Sequence, residues 1–420
     1  MKQLLTYCLF ISSTIQALEG QRLSLFECQK LAKESHPYYQ DRQRIETNAG
    51  LKSKNINTQW LPQINANAQA TYQSDVTSIP INLPGMTIPK LPLDQYKLWL
   101  DINQTLYDGG SISAQRHINE TSSQVDLLQN ESELHKIVEL VNQTYFGLLL
   151  VNENIVLLNN VKENLDQRQK TVEAAVKNGI LQESDLENIN IEILKNKQQI
   201  DELKFSYAAG ISIMSELTGK KLDDSASIEL PLIAIPDTGS YQRAEIKMMD
   251  VQKTSLRFSD KLTLSQRIPK IYAFTQAGYG RPGLNMFKTD FSSYYIIGLS
   301  LKWNLWDWSK TSRDRQSISL QSEMIDSRRQ AFEKNLNIIL DNSSARIKQL
   351  ENSLKTDSSI VDLRSSLTKL SSIKLEQGTM TATDYINDLN GETQAKIQLK
   401  SHMIQLVQEK INFLTIKGIL

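Results

Sequence analysis

Asp384 and Asp388 stand four residues apart, a spacing that sets two carboxylates on one face of a helix. Repeated around the axis of a cyclic assembly, they would form rings that favour cations and repel one another, and so could tune entry to a pore and its gating. The same acids near a helix N-terminus could simply balance the helix dipole, which needs no pore. Asp185 holds the corresponding place about 199 residues earlier. It reads as a further pore or gate residue, as a helix cap, or as a partner in a bond between hairpins. Each acid follows a turn, Asn178-Gly179-Ile180-Leu181 in one case and Gln377-Gly378-Thr379-Met380 in the other. Gly179 and Gly378 sit where a helix must stop, and the left-handed cap this needs is cheap only for glycine. Ser184 with Glu187 reads as a capping box, and Thr381 with Asp384 resembles one. Ile180 and Leu181 are apolar in a turn, which points to a protein contact at the tip or to packing within the hairpin. Thr379 and Met380 are the matching pair.

Catalytic patterns are missing from the sequence. His36, His117, His135 and His402 are scattered, with no cysteine or carboxylate at zinc-site spacing. No glycine-rich phosphate loop follows a strand, and no Gly-x-Ser-x-Gly elbow occurs. The reading is therefore of a protein that is not an enzyme and holds no cofactor or metal. Gly109-Gly110 reads as a tight strand-to-helix transition. With 47 basic and 47 acidic residues, the balanced charge gives no reason to expect a nucleic acid partner.

The N-terminus has one basic residue, Lys2, then a short apolar run and a small residue at Ala17, the layout of a signal peptide over 1–17. Removing it removes Cys8. Cys28 is then the one cysteine left, best read as a small packed residue on an amphipathic helix.

The elements that must position the acids come in two sets. From Pro62, Ile64, Ala66, Ala68, Ala70 and Tyr72 alternate with Gln63, Asn65, Asn67, Gln69, Thr71 and Gln73, a period-two strand over 62–73 with one polar face. A proline-rich loop with Pro80, Pro84, Pro89 and Pro92 leads to a second strand over 96–107. The later half holds a matching pair, 269–280 and 295–306. Strands of this length with one apolar and one polar face suit an outer-membrane barrel. Tyr107, Trp303, Trp306 and Trp308 gather at strand ends, as aromatics do at a membrane interface.

Long helices follow each strand pair. From Ser111 to Lys177 there is no proline, and Leu134, Val141, Leu148 and Ile155 recur at seven-residue intervals, which implies left-handed supercoiling against neighbours. Such a helix would span roughly 100 Å. Its return partner is about half as long, as is the N-terminal helical stretch, so the two short pieces stacked end to end would match the long one. The second half repeats this arithmetic. The chain thus reads as internally duplicated: a first repeat over 18–218 with a hairpin over 111–218, an equatorial linker over 219–240, and a second repeat over 241–420 with a hairpin over 309–417. Four strands are too few to close a barrel, so three copies would share one of about 12 strands.

Taken in order, these motifs resemble the TolC family of outer-membrane efflux proteins. The resemblance rests on Leu23-Ser24-Leu25 with His36-Pro37, on Trp60-Leu61-Pro62, on Gln104-Thr105-Leu106-Tyr107-Asp108-Gly109-Gly110, and on the two tip turns. It implies a mainly α fold carrying a membrane β-barrel, as a homotrimer with a 12-stranded barrel in outer-membrane lipid and a coiled-coil tunnel in the periplasm. It further implies a passive exit duct, for efflux or type I secretion. Substrates would arrive through a periplasmic adaptor from an inner-membrane pump of RND, ABC or MFS type. The adaptor would meet the tips, at Gly179, Ile180, Leu181, Gly378, Thr379 and Met380. The sequence departs from the best-known pattern of the family at two places: Asn387 is not acidic, and Met380 stands where an arginine is common. A non-conducting coiled-coil scaffold is the alternative, although it has no reason to carry apolar strand faces that end in tryptophan.

Overall fold

A computed structural model describes residues 22–77, 91–223, 227–234 and 241–419. The expected signal peptide with Cys8, most of the proline-rich loop, and residues 224–226 and 235–240 of the expected linker lie outside the described residues. The elements run β1 (Arg22–Leu23), α1 (Leu25–Ser35), α2 (Pro37–Asn57), β2 (Gln63–Tyr72), β3 (Asp94–Tyr107), α3 (Ser111–Lys177), α4 (Glu183–Thr218), β4 (Ser227–Ile228), α5 (Ala244–Ser265), β5 (Lys270–Arg281), β6 (Ser292–Lys302), α6 (Lys310–Glu376) and α7 (Ala382–Lys417). The chain is mainly helical. Helices α3 and α6 are 67 residues each, and α4 and α7 are 36 each.

The chain divides into two compact units. One holds residues 42–128 and 246–330. Its centre is a four-stranded sheet of order β2-β3-β5-β6, antiparallel throughout. Register sorts the side chains into two faces. Ile64 faces Ile102, Ala66 faces Leu100 and Ala68 faces Leu98. Thr275 continues the row to Ile297, and Ala273 faces Leu299. This face is apolar and exposed: Leu98, Ile297, Leu299 and Leu301 are each at least 60% accessible. The other face mixes polar residues with Trp99, Phe274, Tyr294 and Ile296. There Asp101 accepts hydrogen bonds from Asn67 Nδ2 and Trp99 Nε1 at 2.8 Å and from Gln276 Nε2 at 2.9 Å. A bulge between Thr105 and Tyr107 shifts register by one residue, so Tyr107 pairs with Ile271 in an apolar row.

Each strand pair hands over to its long helix through an aspartate. Asp108 accepts from the backbone N–H groups of Gly110 (2.9 Å) and Ile112. Asp307 accepts from the N–H (3.0 Å) and the hydroxyl of Thr311. Both cap the otherwise unsatisfied first turn of a helix. The intervening backbone is left-handed in both cases, at Gly109 (φ 70°) and Gly110 (φ 87°), and at Trp308 (φ 54°) and Ser309 (φ 61°). Strand β6 stops at Lys302, so Trp303, expected inside a strand, lies just beyond it and donates its indole N–H to the carbonyl of Arg267 (3.0 Å).

The other unit holds residues 22–41, 129–245 and 331–419 among those described. Ser24 caps α1, and Pro37 forces His36 into extended backbone, which separates α1 from α2. One core gathers Leu25, Cys28 and Ala32 of α1 with Val141, Tyr145 and Phe146 of α3, Ile211 and Met214 of α4, and Ile411 of α7. The short parallel pair β1–β4 lies over it, with Leu23 and Ile228 in the same core. The Tyr145 hydroxyl lies between the carbonyl oxygens of Leu23 (2.8 Å) and Glu229 (2.6 Å), both acceptors for its one proton. That single side chain ties the expected linker to the helices. Burial, with Glu27 nearby, pushes the Cys28 thiol up to about 11.

Candidate functional site

The second core of this unit lies at the hairpin tips and draws on all four long elements. Leu165 and Val172 of α3, Ile189 of α4, Leu375 of α6, and Ala382, Tyr385, Ile386 and Leu389 of α7 pack together. The heptad spacing of Leu158, Leu165 and Val172 is what turns this face of α3 inward. Apolar contact therefore joins one hairpin to the other at the tip, rather than only closing each on itself.

Around this core runs a set of bonds between hairpins. Asp185 is buried, and its carboxylate accepts from Gln182 N–H (3.2 Å) on its own hairpin and from Ala382 N–H (3.0 Å) on the other. Asn188 Nδ2 donates to Thr383 Oγ1 at 3.1 Å, and Asn390 Nδ2 to Glu192 Oε1 at 3.0 Å. Arg168 of α3 reaches Glu376 Oε1 at 2.5 Å and the Ser372 hydroxyl on α6, and its guanidinium lies 5.3 Å from the centre of the Tyr385 ring on α7. Its side chain is only 16% exposed. A planar cation held by a carboxylate, a hydroxyl and an aromatic face is a strong and directional contact.

The sequence-derived residues divide within this geometry. Asp384 is exposed; its N–H donates to Thr381 Oγ1 (3.2 Å) and its carboxylate accepts from that hydroxyl (2.8 Å), so it completes the cap of α7. Asp388, one turn on, is half-buried and accepts from the Ser371 hydroxyl of α6. Asp185 turns inward and makes both a cap bond and the bond between hairpins that its position suggested. The box expected from Ser184 and Glu187 lies two residues earlier: Gln182 is the cap and Asp185 its reciprocal partner. The second tip has its cap at Thr381, paired with Asp384.

Gly179 (φ 72°) and Gly378 (φ 68°) are both left-handed. A side chain at Gly378 would come within 2.9 Å of Ile180 Cγ2, so the two tip turns touch there. Ile180 is nonetheless 56% exposed, whereas Leu181 packs against the tip core. Thr379 is exposed and donates to the Lys374 carbonyl (3.1 Å), and Met380 is half-buried. Of the aromatic set, Trp306 and Trp308 meet edge to face at 5.8 Å and are 71% and 78% exposed. Tyr107 and Trp303 are about half exposed.

Arg168, Tyr385 and the asparagine pairs escaped the sequence reading. A signal existed for Arg168, which lies between the seam positions Leu165 and Val172, where a lone arginine flanking an apolar stripe needs a partner from a neighbouring helix. Among the described residues no group of histidine, cysteine or acidic side chains could hold a metal ion. No described helix is long and apolar enough to cross a membrane.

Residues 44–211 match the family model described as outer membrane efflux protein. None of the curated proteins matches the chain by sequence. Solved structures match it in fold. The Campylobacter jejuni CmeC outer membrane channel is similar at 14% identity and TM-score 0.69, covering 94% of this chain and 85% of its own. The Vibrio cholerae outer membrane protein VceC gives 13% and 0.71, with 94% and 96% covered. The open state of the Neisseria gonorrhoeae MtrE outer membrane channel gives 12% and 0.70, with 94% and 88% covered. Residues 44–211 thus resemble the outer membrane efflux protein family, and the chain as a whole has the fold of these outer-membrane channel structures.

Proposed function

We propose that this chain is the outer-membrane channel of an export system, a passive exit duct fed by an inner-membrane pump of RND, ABC or MFS type through a periplasmic adaptor. The observation that carries the reading is the sheet. It has one exposed apolar face, a second face that carries Asn67, Asp101 and Gln276, and, among the described residues, two free edges at β2 and β6. Apolar side chains at this density face lipid at lower cost than water, and free edges call for further strands. Three copies would supply 12 strands, β6 of one beside β2 of the next, with the second face lining the duct. Helix α6 supports the homotrimer: Ile360, Leu363, Leu367, Leu370 and Ile373 form an exposed stripe at coiled-coil spacing.

In this reading the chain is a duplicated unit in the organisation set out above, matured by loss of residues 1–17. Asp384 and Asp388 ring the tip end of the duct, and Asp185 holds the two hairpins in register there. The adaptor meets Gly179, Ile180, Leu181, Gly378, Thr379 and Met380, of which exposed Ile180 and Thr379 are the best placed to be touched. Tyr107, Trp303, Trp306 and Trp308 mark the membrane interface.

Single-channel conductance in planar bilayers tests this, comparing wild type with Asp384→Ala/Asp388→Ala. Stable steps whose cation preference falls in the variant support a channel with carboxylates at its constriction. Steps unchanged by the substitutions move the gate elsewhere. Folded protein that never inserts, and stays soluble without detergent, supports a coiled-coil scaffold instead.

A further inference from the structure

At one end of the sheet Asp94, Tyr96, Tyr279, Arg281 and Phe291 form a cluster that the duct itself does not require. Tyr96 pairs with Arg281 and Leu98 with Tyr279, so both tyrosines stand in rows of the apolar face. Phe291, the last residue before β6, stacks on Tyr279 with ring centres 5.5 Å apart and planes at 17°, and lies 6.4 Å from Tyr96. The connection from β5 to β6 therefore leans over the apolar face of the sheet, not over the other. Arg281 lies 5.6 Å from the rings of both Tyr96 and Phe291 and pairs with the Asp94 carboxylate. Its charge is thus neutralised at an otherwise apolar rim.

What the connection presents beyond this anchor is unusual for a turn. Leu284, Met286 and Phe287 are 57%, 58% and 62% exposed, three large apolar side chains within four residues. They are not a loose tail. The Asn285 carbonyl accepts from Lys288 N–H (3.2 Å), and its side chain accepts from Phe287 N–H (3.0 Å). A turn facing only water favours small and polar residues, and an ordered apolar tip marks an interaction surface.

We propose that the β5–β6 connection is an interfacial lipid anchor, with Leu284, Met286 and Phe287 inserted at the boundary of headgroups and acyl chains and Lys288 left to meet lipid phosphate. This rests on the reading of the sheet's apolar face as lipid-facing, because the tip is continuous with that face through Phe291. Amphipathic aromatic and basic side chains settle at that depth of a bilayer.

The test uses the chain as matured, with Cys28→Ala, in vesicles of phosphatidylcholine and phosphatidylglycerol. A nitroxide label is placed on Met286→Cys or, separately, on Ile297→Cys in the apolar face. Its collision rates with oxygen and with a water-soluble nickel chelate are compared. The expected result is oxygen collision exceeding nickel collision several-fold at both positions. Label 297 in lipid with label 286 open to nickel overturns the anchor and leaves the channel reading standing. Label 297 open to nickel overturns the lipid-facing sheet, and the anchor with it.

Discussion

The carboxylate of Asp185, at the first hairpin tip, accepts a hydrogen bond from the backbone N–H of Ala382, which opens the return helix of the second (3.0 Å). Both groups are buried. Removing such an acceptor leaves the N–H without a partner away from water, at a cost of about 1–3 kcal/mol. Asp185→Ala is expected to raise the hydrogen-exchange rate of the Ala382 amide by about tenfold or more, a factor that 1.4 kcal/mol supplies. In bilayers the same variant should dwell longer in its larger conductance state. Unchanged exchange at Ala382 would remove this bond from any account of tip closure.

Arg168 makes a second, independent tie. Its bonds to Glu376 and Ser372 and its place over Tyr385 use the planar fork of a guanidinium, which a lysine ammonium does not reproduce. Arg168→Lys should therefore open the channel nearly as much as Arg168→Ala. Glu376 is half exposed, so the ion pair alone contributes no more than about 1 kcal/mol, and most of the effect belongs to the hydroxyl and the ring. A double-mutant cycle of Arg168→Ala with Tyr385→Leu, read as the free energy of channel opening, checks this: additive effects would mean that the guanidinium and the ring do not interact.

How much of this was legible in the sequence depends on the range of the interaction. Period-two alternation from Gln63 and heptad spacing through Leu165 are local patterns, and a strand and a long helix stand where they run. The ending of β6 was not local. Ile297, Leu299, Leu301, Trp303 and Leu305 alternate without a break, yet the ladder stops at Lys302, where partner strand β5 begins at Lys270. Strand length is set by the partner, which one strand's pattern does not contain. The same holds at the tips. Glycine marks both turns and the cap at Gln182 is local, but the partner of the inward-turned Asp185 is Ala382, 197 residues away.

Cys28 supplies a pH dependence. Its folded pKa, pushed by burial to about 11, lies above the 9.0 of a free thiol. The folded chain therefore keeps its proton where the unfolded chain has lost it. The stability this gives is fully present below pH 9 and is lost as pH rises through about 11, by up to about 2–3 kcal/mol. Denaturant midpoints of wild type and Cys28→Ala, measured from pH 8 to 11, should converge as pH rises. Parallel curves would place the proton linkage elsewhere. At pH 8 the native thiol should also resist iodoacetamide until denaturant is added.

Ser309 is left-handed (φ 61°), whereas Gly110, which follows the equivalent strand, holds a similar conformation (φ 87°) as a glycine. A left-handed non-glycine residue costs roughly 1–2 kcal/mol. Ser309→Gly should raise stability by about 1 kcal/mol, read as a shift of the urea midpoint at constant slope. Gly109→Ala should act the other way by more, because its new Cβ would lie 2.8 Å from Ile268 Cβ as well as at φ 70°. Equal effects of one sign would show that backbone conformation does not decide either site.

The exposed stripe on α6 predicts how the copies hold together. Leu363 and Leu370 are 73% and 58% accessible in the single chain, seven residues apart on one helix face. Burying each against a neighbouring copy contributes roughly 1.5–3 kcal/mol. Leu363→Glu/Leu370→Glu removes both terms and sets carboxylates in an apolar seam. The association constant should then fall by at least about 100-fold for each interface, since about 3 kcal/mol is lost. Sedimentation equilibrium in detergent reads this directly, with wild type at three times the chain mass and the variant moving toward one. Circular dichroism of the variant at matched concentration separates the two explanations for a fall in mass. Retained helicity assigns the stripe to the trimer seam, whereas a variant that stays trimeric places the seam on another face of α6.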